Sequence, residues 1–478
     1  MELHIPEQRI TIISAPKSKN TVTKLVSKAT LLKEVAAVKH QNGLLVSNKE
    51  RSVYITDKAK DIPEDQNDVA QSENLPTIAA LNDQGLAIKK WLKSTSNLNN
   101  PADVVSSWRG KLTFLEEDRE AEINGLRQPQ LGALYSILGH LKLAAEAGVV
   151  VLPTGTGKTE TMLAALVANQ CKRLLVVVPS DALRTQISEK FITLGLLKEF
   201  KILSEDAAYP AVGVIRNGFT NIADFQNFVA KSNVIVATMA ILKNLSNENL
   251  KYLAAECSHL FIDEAHHVKA KSWEYVKEHF DNKKIIQFTA TPFRNDGQRL
   301  EGKVLFNFPL REAQSQGYYK KIEFLAVSVP KLKEADKVIA DTAIARLRTD
   351  LKSYNHILMA RCATKERADE IFKLYEQEKD LQPILIYSGA PRAKENYQKI
   401  IKKQTRIIVC VDMLGEGFDL PELKIAAFHD IRKSLPITLQ LAGRFTRTKF
   451  DEQLGDACFI ANIGVLLPKG RIYTLSIF

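Results

Sequence analysis

From about residue 121 onward, short and wholly apolar runs alternate with amphipathic stretches, and this alternation is the feature that most constrains the fold. Apolar runs separated by helical stretches are typical of parallel strands covered by helices on both faces of a sheet. The alternation comes in two successive series, so the simplest interpretation is two doubly wound α/β domains in tandem. The runs lie at 149–152, 174–178, 234–237, 260–263 and 285–288 in the first series, and at 357–360, 384–387, 406–411, 425–428 and 457–461 in the second.

The first 120 residues have a different character. They are polar and mixed, with short apolar alternations at 9–13 and 52–56 and a turn-rich polar stretch at 61–76. This pattern favours a small α/β or α+β module with a surface loop. No residue in this region indicates a chemistry, so its role stays open, and a protein partner is one possible ligand for it.

The change in character also predicts where the domains divide. We expect an N-terminal module over 1–120, a first α/β domain over 121–320 and a second over 321–478. Around Pro330 the chain is rich in lysine, and this stretch favours a linker near 320–336.

Composition excludes several classes of protein. The chain has 478 residues, of which 45% are hydrophobic and 25% charged, so disorder over most of its length is excluded. The 66 basic and 55 acidic residues give a formal net charge of +11. A basic surplus favours polyanionic partners such as nucleic acid, although the signal is weak because lysine-rich surfaces also serve solubility.

Cysteine usage and hydropathy bear on the compartment. Five cysteines are scattered without a C-x-x-C pair, which argues against a disulfide framework or a zinc knuckle and fits a reducing compartment. No apolar run approaches the ~18–20 residues that cross a bilayer. The first ten residues lack the basic and apolar segments of a secretory signal. We therefore expect a cytoplasmic location and no membrane partner.

The segment 149–168 predicts a strand, a glycine-containing loop and a helix. Gly155 and Gly157 allow backbone N–H groups to turn toward an anion, and the following helix directs its N-terminus to the same place. Lys158 can reach the β- and γ-phosphates of a nucleotide, and the Thr159 hydroxyl can bind Mg²⁺. An ordinary glycine turn before a helix is the alternative.

The run at 260–263 ends in a second polar segment, in which Asp263 and Glu264 stand at the end of a strand. Ligands of open parallel sheets bind at the carboxyl ends of the strands. Asp263 can hold Mg²⁺, and Glu264 can accept a proton from an attacking water. The alternative is a surface turn. For His266 and His267 we prefer hydrogen bonding and interdomain contact over metal binding, because no other His or Cys is suitably spaced.

These segments stand in a familiar order. PTGTGKT (153–159), DEAH (263–266), TATP (289–292) and QLAGRFTR (440–447) together resemble the motifs of a superfamily 2 helicase, similar to the DEAH-containing restriction-enzyme and repair helicases. The resemblance covers roughly residues 121–462. It implies two RecA-like domains that bind ATP and Mg²⁺ between them. The loop residues that would bind the nucleotide are Thr154, Gly155, Thr156, Gly157, Lys158 and Thr159.

The resemblance implies further contacts in the first domain. Gln130 would read the adenine edge, and Thr289, Thr291 and Arg294 would connect the Asp263–Glu264 corner to the strand-binding face. The residues that would contact the phosphates of a nucleic-acid strand are Pro179, Ser180, Arg184 and Thr238.

In the second domain the resemblance points to four residues. Asp419 would contact the ribose or organise its loop. Gln440, Arg444 and Arg447 are spaced i, i+4 and i+7, so on a helix they would share one face. The two arginines would act as arginine fingers on the γ-phosphate, and all three are candidate catalytic residues beside Lys158.

The implied function is an ATP hydrolase that cleaves the phosphoanhydride bond to move along nucleic acid or separate a duplex, with DNA favoured over RNA. An ATP-switched clamp or sensor that does not unwind is the alternative, because the motifs alone do not exclude it. A phosphate-loop kinase or GTPase is disfavoured, since it gives no reason for the second-domain arginines or the tandem repeat.

Overall fold

The computed structural model describes residues 3–5, 7–15, 18–49, 52–58, 60, 62–66, 68–75, 77–78, 88–93, 100–143, 146–267, 270–280, 284–293, 298–318, 322–411, 420–430, 445 and 455–462. Strands in the first 93 residues are β1 Leu3–Ile5, β2 Gln8–Ile13, β3 Thr21–Ser27, β4 Thr30–Leu32, β5 Ala36–His40, β6 Gly43–Ser47, β7 Ser52–Thr56, β8 Val69–Ser72 and β9 Ile88–Lys93. The next strands are β10 Gly148–Val151, β11 Leu174–Val178, β12 Ala211–Val214, β13 Val234–Thr238, β14 His259–Ile262, β15 Lys284–Thr289 and β16 Lys303–Asn307. The last are β17 Ile322–Val327, β18 Ile357–Cys362, β19 Ile384–Ile386, β20 Ile407–Val411, β21 Leu423–Phe428 and β22 Ala457–Asn462.

Two helices precede β10, and most of the strands from β10 onward are followed by a helix. The helices are α1 Pro101–Ser107, α2 Gln128–Leu143, α3 Lys158–Ala168, α4 Asp181–Thr193, α5 Ile222–Ala230, α6 Met239–Lys243, α7 Asn247–Glu256, α8 Ala270–His279, α9 Leu310–Ser315, α10 Leu332–Asp350, α11 Lys365–Tyr375 and α12 Ala393–Ile401. Two short 3₁₀ turns lie at Ala265–His267 and Lys379–Leu381. In the described parts of the chain, no helix is long and apolar enough to cross a membrane.

The first large sheet contains nine described strands in the order β16-β10-β15-β14-β11-β13-β12-β3-β2. Strands β10 to β16 pair in parallel, and every residue of β10, β11, β13 and β14 is buried. Apolar cores cover both faces of this sheet, as the wholly apolar runs predict. The carboxyl ends of these strands therefore meet at one edge, which carries the candidate site.

Two strands from the start of the chain extend this sheet. β3 pairs antiparallel with β12, with Val22 opposite Gly213 and Thr21 opposite Val214, and β2 pairs antiparallel with β3. Val22 and Leu25 are buried in the two cores on opposite faces of the sheet. Strands β2 and β3, which we expected in a separate N-terminal module, thus belong to the sheet of the first domain.

The second large sheet contains six described strands in the order β17-β22-β21-β18-β20-β19, all paired in parallel. Two tandem parallel-sheet α/β units confirm the predicted fold class. The predicted linker at 320–336 is wrong, because Ile322–Val327 is a strand of this sheet and Leu332 begins α10. The polar residues around Pro330 form a short turn between two elements of one unit, and that composition resembles the composition of a linker.

A smaller sheet, β5 to β9, lies along the chain between the hairpin formed by β2 and β3 and helix α1. Its strands pair in the order β5-β6-β7-β8-β9, antiparallel except for β7 with β8. Val46, Val53, Ile55 and Ala70 form its own buried core. This part of the chain is therefore a compact β unit.

Candidate nucleotide and nucleic-acid site

The loop between β10 and α3 has the geometry of an anion cradle. Gly155 and Gly157 have φ angles of 91° and 94°, in the left-handed region that glycine adopts at little cost. Thr156 is fully buried, and its hydroxyl donates to the Pro153 carbonyl at 2.7 Å. The loop is thus fixed from within, with Gly155 exposed, and it leads into α3, whose N-terminal N–H groups favour a phosphate.

Two residues at the start of α2 brace this loop from outside. Arg127 Nη1 donates to the Gly155 carbonyl at 2.9 Å, and Gln130 Nε2 donates to the Gly157 carbonyl at 3.1 Å. Gln130 Oε1 accepts from the Arg127 backbone N–H at 2.7 Å. A Cβ at position 157 would lie 1.9 Å from Gln130 Nε2, so glycine is required there. The predicted base-reading role of Gln130 stays a prediction, and the brace formed by Arg127 was missed from the sequence.

Lys158 and Glu264 meet at the centre of the site. Lys158 Nζ lies 3.0 Å from Glu264 Oε1, both side chains are largely buried, and the same ammonium donates to the Leu152 carbonyl at 3.4 Å. Glu264 has a φ of 48°, which is uncommon for a residue with a side chain. Its backbone N–H donates to Asp263 Oδ1 at 3.0 Å. The fold thus brings together the two residues that the sequence predicts as phosphate-binding lysine and general base.

A hydrogen-bonded chain leads away from this pair. His266 Nδ1 lies 3.0 Å from Thr289 Oγ1 and 3.5 Å from Glu264 Oε2. The single hydroxyl proton of Thr289 goes to the Thr291 carbonyl at 2.7 Å. Thr289 therefore accepts from His266, so Nδ1 carries a proton. His266 has the hydrogen-bonding role we preferred, and it joins the acidic corner to the end of β15.

Thr159 and Asp263 have the chemistry to hold Mg²⁺. Thr159 is half-buried at the start of α3, and Asp263 is buried at the end of β14. Proteins bind Mg²⁺ through one or two such oxygens, together with substrate phosphates and water. Within the described ranges, no three His, Cys, Asp or Glu side chains form a cluster that could hold a metal ion. A nucleotide-associated Mg²⁺ therefore fits this site better than an all-protein metal centre.

The predicted strand-contacting residues lie at the same edge of the sheet. Ser180 follows Pro179 and caps α4 by accepting from the Leu183 N–H at 3.4 Å, and Thr238 caps α6 by accepting from the Ile241 N–H at 3.3 Å. Both hydroxyls still have a proton to donate. Arg184, in the first turn of α4, is buried. The fold therefore brings these residues to the ends of two neighbouring strands.

Comparison with known proteins bears on this arrangement. Residues 124–294 match the family model described as "Type III restriction enzyme, res subunit", and residues 337–449 match "Helicase conserved C-terminal domain". The chain contains the two domains of a superfamily 2 helicase.

The individual proteins to which this chain is similar are distant relatives. The DNA 3'-5' translocase XPB2 of Sulfurisphaera tokodaii is 24% identical over 404 residues, covering 71% of this chain and 86% of the relative. The protein assigned as helicase 22 in Sulfolobus islandicus filamentous virus is 22% identical over 377 residues, covering 69% of this chain. The chain spans 63% of that viral protein. A fragment assigned to the HsdR subunit of a type I restriction enzyme from Vibrio vulnificus shares the fold, with a TM-score of 0.52, 15% identity and coverage of 97% of this chain and 88% of that one.

Several of the predicted site residues lie outside the described residues. These are Arg294, Asp419, Gln440, Arg444 and Arg447.

Phe445, which directly follows Arg444, is described. Its ring is buried 5.2 Å from that of Phe459, and its carbonyl accepts from Lys424 Nζ at 2.8 Å. Lys424 is fully buried in β21, and sequence analysis missed it. A lysine inside the otherwise apolar run LKIAAF was the available signal.

The carboxyl edge of the second large sheet carries a largely buried network of polar side chains. Asp336 accepts from Arg367 Nη2 at 2.8 and 3.0 Å, and its Oδ1 lies 3.0 Å from His429 Nδ1. His429 Nε2 lies 2.9 Å from the hydroxyl of Tyr375. Arg367 also reaches Asp430, with Nε 3.3 Å from Oδ1. Complete burial raises the pKa of Tyr375, so its hydroxyl keeps its proton.

Proposed function

We propose that the protein is an ATP-dependent helicase or translocase of the DEAH-containing type, which couples ATP hydrolysis to movement along nucleic acid or separation of a duplex. The observation that carries this proposal is the 3.0 Å contact of Lys158 with Glu264 beside the glycine loop. A phosphate-binding lysine and a general base that act on one triphosphate must lie near each other.

The residues of the first domain have separate tasks in this mechanism. Backbone N–H groups of the loop and of α3 bind the phosphates, and Thr159 and Asp263 would hold the Mg²⁺ that neutralises phosphate charge. The Lys158 ammonium exchanges Glu264 for phosphate oxygens when the triphosphate enters. Glu264 is then released to accept a proton from the attacking water.

The second domain completes the mechanism. Arg444 and Arg447 stabilise charge that develops on the γ-phosphate, Gln440 orients the reacting groups, and Asp419 contacts the ribose. These roles rest on the resemblance of residues 440–447 to the helicase motif.

Coupling to the nucleic acid runs through the hydrogen bonds that link His266, Thr289 and Thr291. A change at Glu264 alters the partner of His266 Nδ1, which is hydrogen-bonded to Thr289 at the end of β15. β10, β15 and β14 are neighbours in one sheet. A change at Glu264 therefore reaches the edge that would bind nucleic acid through backbone that is already paired.

We propose DNA as the preferred substrate, since a relative of which this chain covers 86% is named a DNA translocase. Contacts to phosphates make sequence preference small. The basic surplus of +11 supports a polyanionic partner. A cytoplasmic location and a protein partner for residues 1–120 belong to the same proposal.

The test is the ATP hydrolysis rate across a panel of single- and double-stranded DNA and RNA. Stimulation of at least several-fold by one class supports the proposal, and DNA should stimulate more than RNA. A rate that no nucleic acid changes contradicts it. Displacement of a labelled strand, or of a bound protein block, then separates a motor from an ATP-switched clamp, which would be stimulated without displacing either.

A further inference from the structure

The edge that carries Arg184 includes a part of the chain to which no function has been assigned. Strands β11, β13 and β12 end side by side, and β3 of the N-terminal hairpin (residues 8–27) pairs with β12. The turn that enters β3 at 18–21 therefore lies beside the turn that leaves β12 at 215–218.

Asn20 locks these two turns together. Its side chain is fully buried, and Oδ1 accepts from the backbone N–H groups of Arg216 at 2.7 Å and Asn217 at 3.1 Å. Its Nδ2 donates to the Asn217 carbonyl at 3.0 Å. A buried amide with three backbone hydrogen bonds fixes the position of the second turn through the first.

The same contacts hold the Arg216 side chain at the edge. Its Nη1 donates to the Lys19 carbonyl at 3.1 Å and to Thr21 Oγ1 at 3.0 Å. Among the described residues, no carboxylate lies within ion-pair distance of this guanidinium. Burial and then the charge of Arg184 lower the pKa of Arg216 below its usual range, and the positive charge persists because arginine titrates far above neutral pH. Two arginines are thus held at one edge without a matching acid for each.

Arg184 supplies the second guanidinium. Its side chain is only 7% exposed, and its Nη1 lies 2.9 Å from Asp181 Oδ1, whose side chain is 80% exposed. Its Nε is buried and has no hydrogen-bond partner in the described part of the chain. A buried N–H without an acceptor is costly, and an incoming phosphate oxygen would satisfy it.

A third tie holds the hairpin to the helix that carries Arg184. Arg9 of β2 forms a bidentate ion pair with Glu189 of α4, with one nitrogen–oxygen distance of 2.7 Å. The hairpin therefore contacts both of the elements that position the two guanidinium groups.

We propose that Arg184 and Arg216 together bind a phosphate of a nucleic-acid backbone, and that Asn20 of the N-terminal hairpin is the positioning residue that holds Arg216 at this site. The inference rests on the proposed nucleic-acid binding and adds the N-terminal hairpin to the binding face. The Asp181 carboxylate competes with the phosphate for Arg184.

The first experiment measures binding of a labelled single-stranded oligothymidine by fluorescence anisotropy over a series of salt concentrations. Arg216→Ala should weaken binding about tenfold and reduce the slope of log K against log salt by about one, since one phosphate contact is lost. Lys172→Ala is the matched control. It removes one exposed positive charge just before β11, at the opposite edge of the sheet, and should leave both quantities unchanged.

The second experiment tests whether Asn20 acts through Arg216. Asn20→Ala should weaken binding as Arg216→Ala does, and the double variant should show no further loss. Asp181→Asn should instead tighten binding by about threefold, because a competitor of the phosphate is removed. Thermal melting checks each variant for folding, and if Asn20→Ala does not fold, the opposite effects of Arg216→Ala and Asp181→Asn still decide the question.

The outcomes separate this inference from the proposed function. Wild-type protein that binds no oligothymidine and is stimulated by no nucleic acid contradicts the proposed function. Wild-type protein that binds, together with an Arg216→Ala variant of equal affinity and salt slope, overturns the phosphate site alone. Additive losses in the double variant overturn the positioning role of Asn20.

Discussion

The carboxyl edges of the two parallel sheets use charge in opposite ways. In the first sheet Gly155, part of the anion cradle, is exposed. The buried Nε of Arg184 has no hydrogen-bond partner among the described residues. In the second sheet Arg367 is paired with both Asp336 and Asp430, and Arg361 donates to the Asp430 carbonyl at 2.9 Å.

The difference teaches which edge is built for a ligand. The Nε of Arg184 gains a hydrogen bond when an anion binds, whereas Arg367, which is already bonded to two carboxylates of the network, has less to gain. The described part of the second edge therefore stabilises the fold and does not form a ligand site. Asp430 directly precedes residues 431–447, which contain the predicted arginine motif, and Arg367 and the Ala363 N–H hold its carboxylate at 3.3 and 2.9 Å. The comparison predicts that variants of the first edge lose turnover and variants of the second lose stability.

Lys158→Ala should show the largest effect. It removes the charge that binds the phosphates, so ATP turnover should fall at least about a hundredfold. The measurement is steady-state phosphate release at saturating nucleic acid. Lys172→Ala, which removes an exposed lysine at the opposite edge, should turn over ATP like the wild type. Substantial turnover by Lys158→Ala would mean that the first edge is not the nucleotide site.

Asp336→Asn should lower the free energy of unfolding by about 2–4 kcal/mol, because it leaves the partly buried Arg367 and the buried His429 without their carboxylate. Denaturant unfolding monitored by circular dichroism measures this loss. Asp341→Asn, an exposed change on the same helix, is the control and should change stability little. Equal stability of the two variants would show that the network does not stabilise the fold.

The acid dependence of stability sharpens the same comparison. Burial alone would raise the pKa of Asp336, but the hydrogen bonds and charges of His429 and Arg367 outweigh it and hold the pKa below its usual range. A depressed carboxyl pKa contributes stability that is complete above the pKa of the unfolded chain and is lost as the pH falls through the folded value. Asp336→Asn should therefore lose less stability than the wild type as the pH falls below about 4. Parallel curves for the two proteins would contradict this.

Lys424→Met should have the smallest effect, a loss of about 1–3 kcal/mol in unfolding free energy. The change keeps most of the apolar stem and removes the donor to the buried Phe445 carbonyl. Lys402→Met, at an exposed position just after α12, is a suitable control. Stability equal to that of the wild type would mean that the buried ammonium contributes nothing net to this fold.

The first edge could largely be predicted from the sequence. Apolar runs such as 174–178 coincide with strands because a buried parallel strand needs apolar residues on both faces. The glycine loop and the Asp263–Glu264 corner were predicted to lie at one edge of the sheet. The carboxyl ends of parallel strands share an edge whatever the order of the strands.

Other parts could not be predicted because they depend on contacts between distant residues. Nothing local in 21–27 indicates pairing with 211–214, and Asn20 resembles any turn asparagine until Arg216 is placed beside it. The strand at 322–327 was missed for a related reason. It becomes a strand by pairing with β22, which lies far along the chain.

Glu264→Gln gives the most direct test of the central claim that the Lys158–Glu264 pair is the catalytic centre of an ATP hydrolase. The amide keeps the shape of the side chain and cannot take a proton from water. ATP affinity, measured by titration calorimetry, should stay within a few-fold of the wild type, while nucleic-acid-stimulated turnover should fall at least about a hundredfold. Turnover equal to that of the wild type, or loss of ATP binding together with turnover, would contradict the assignment of Glu264 as the general base.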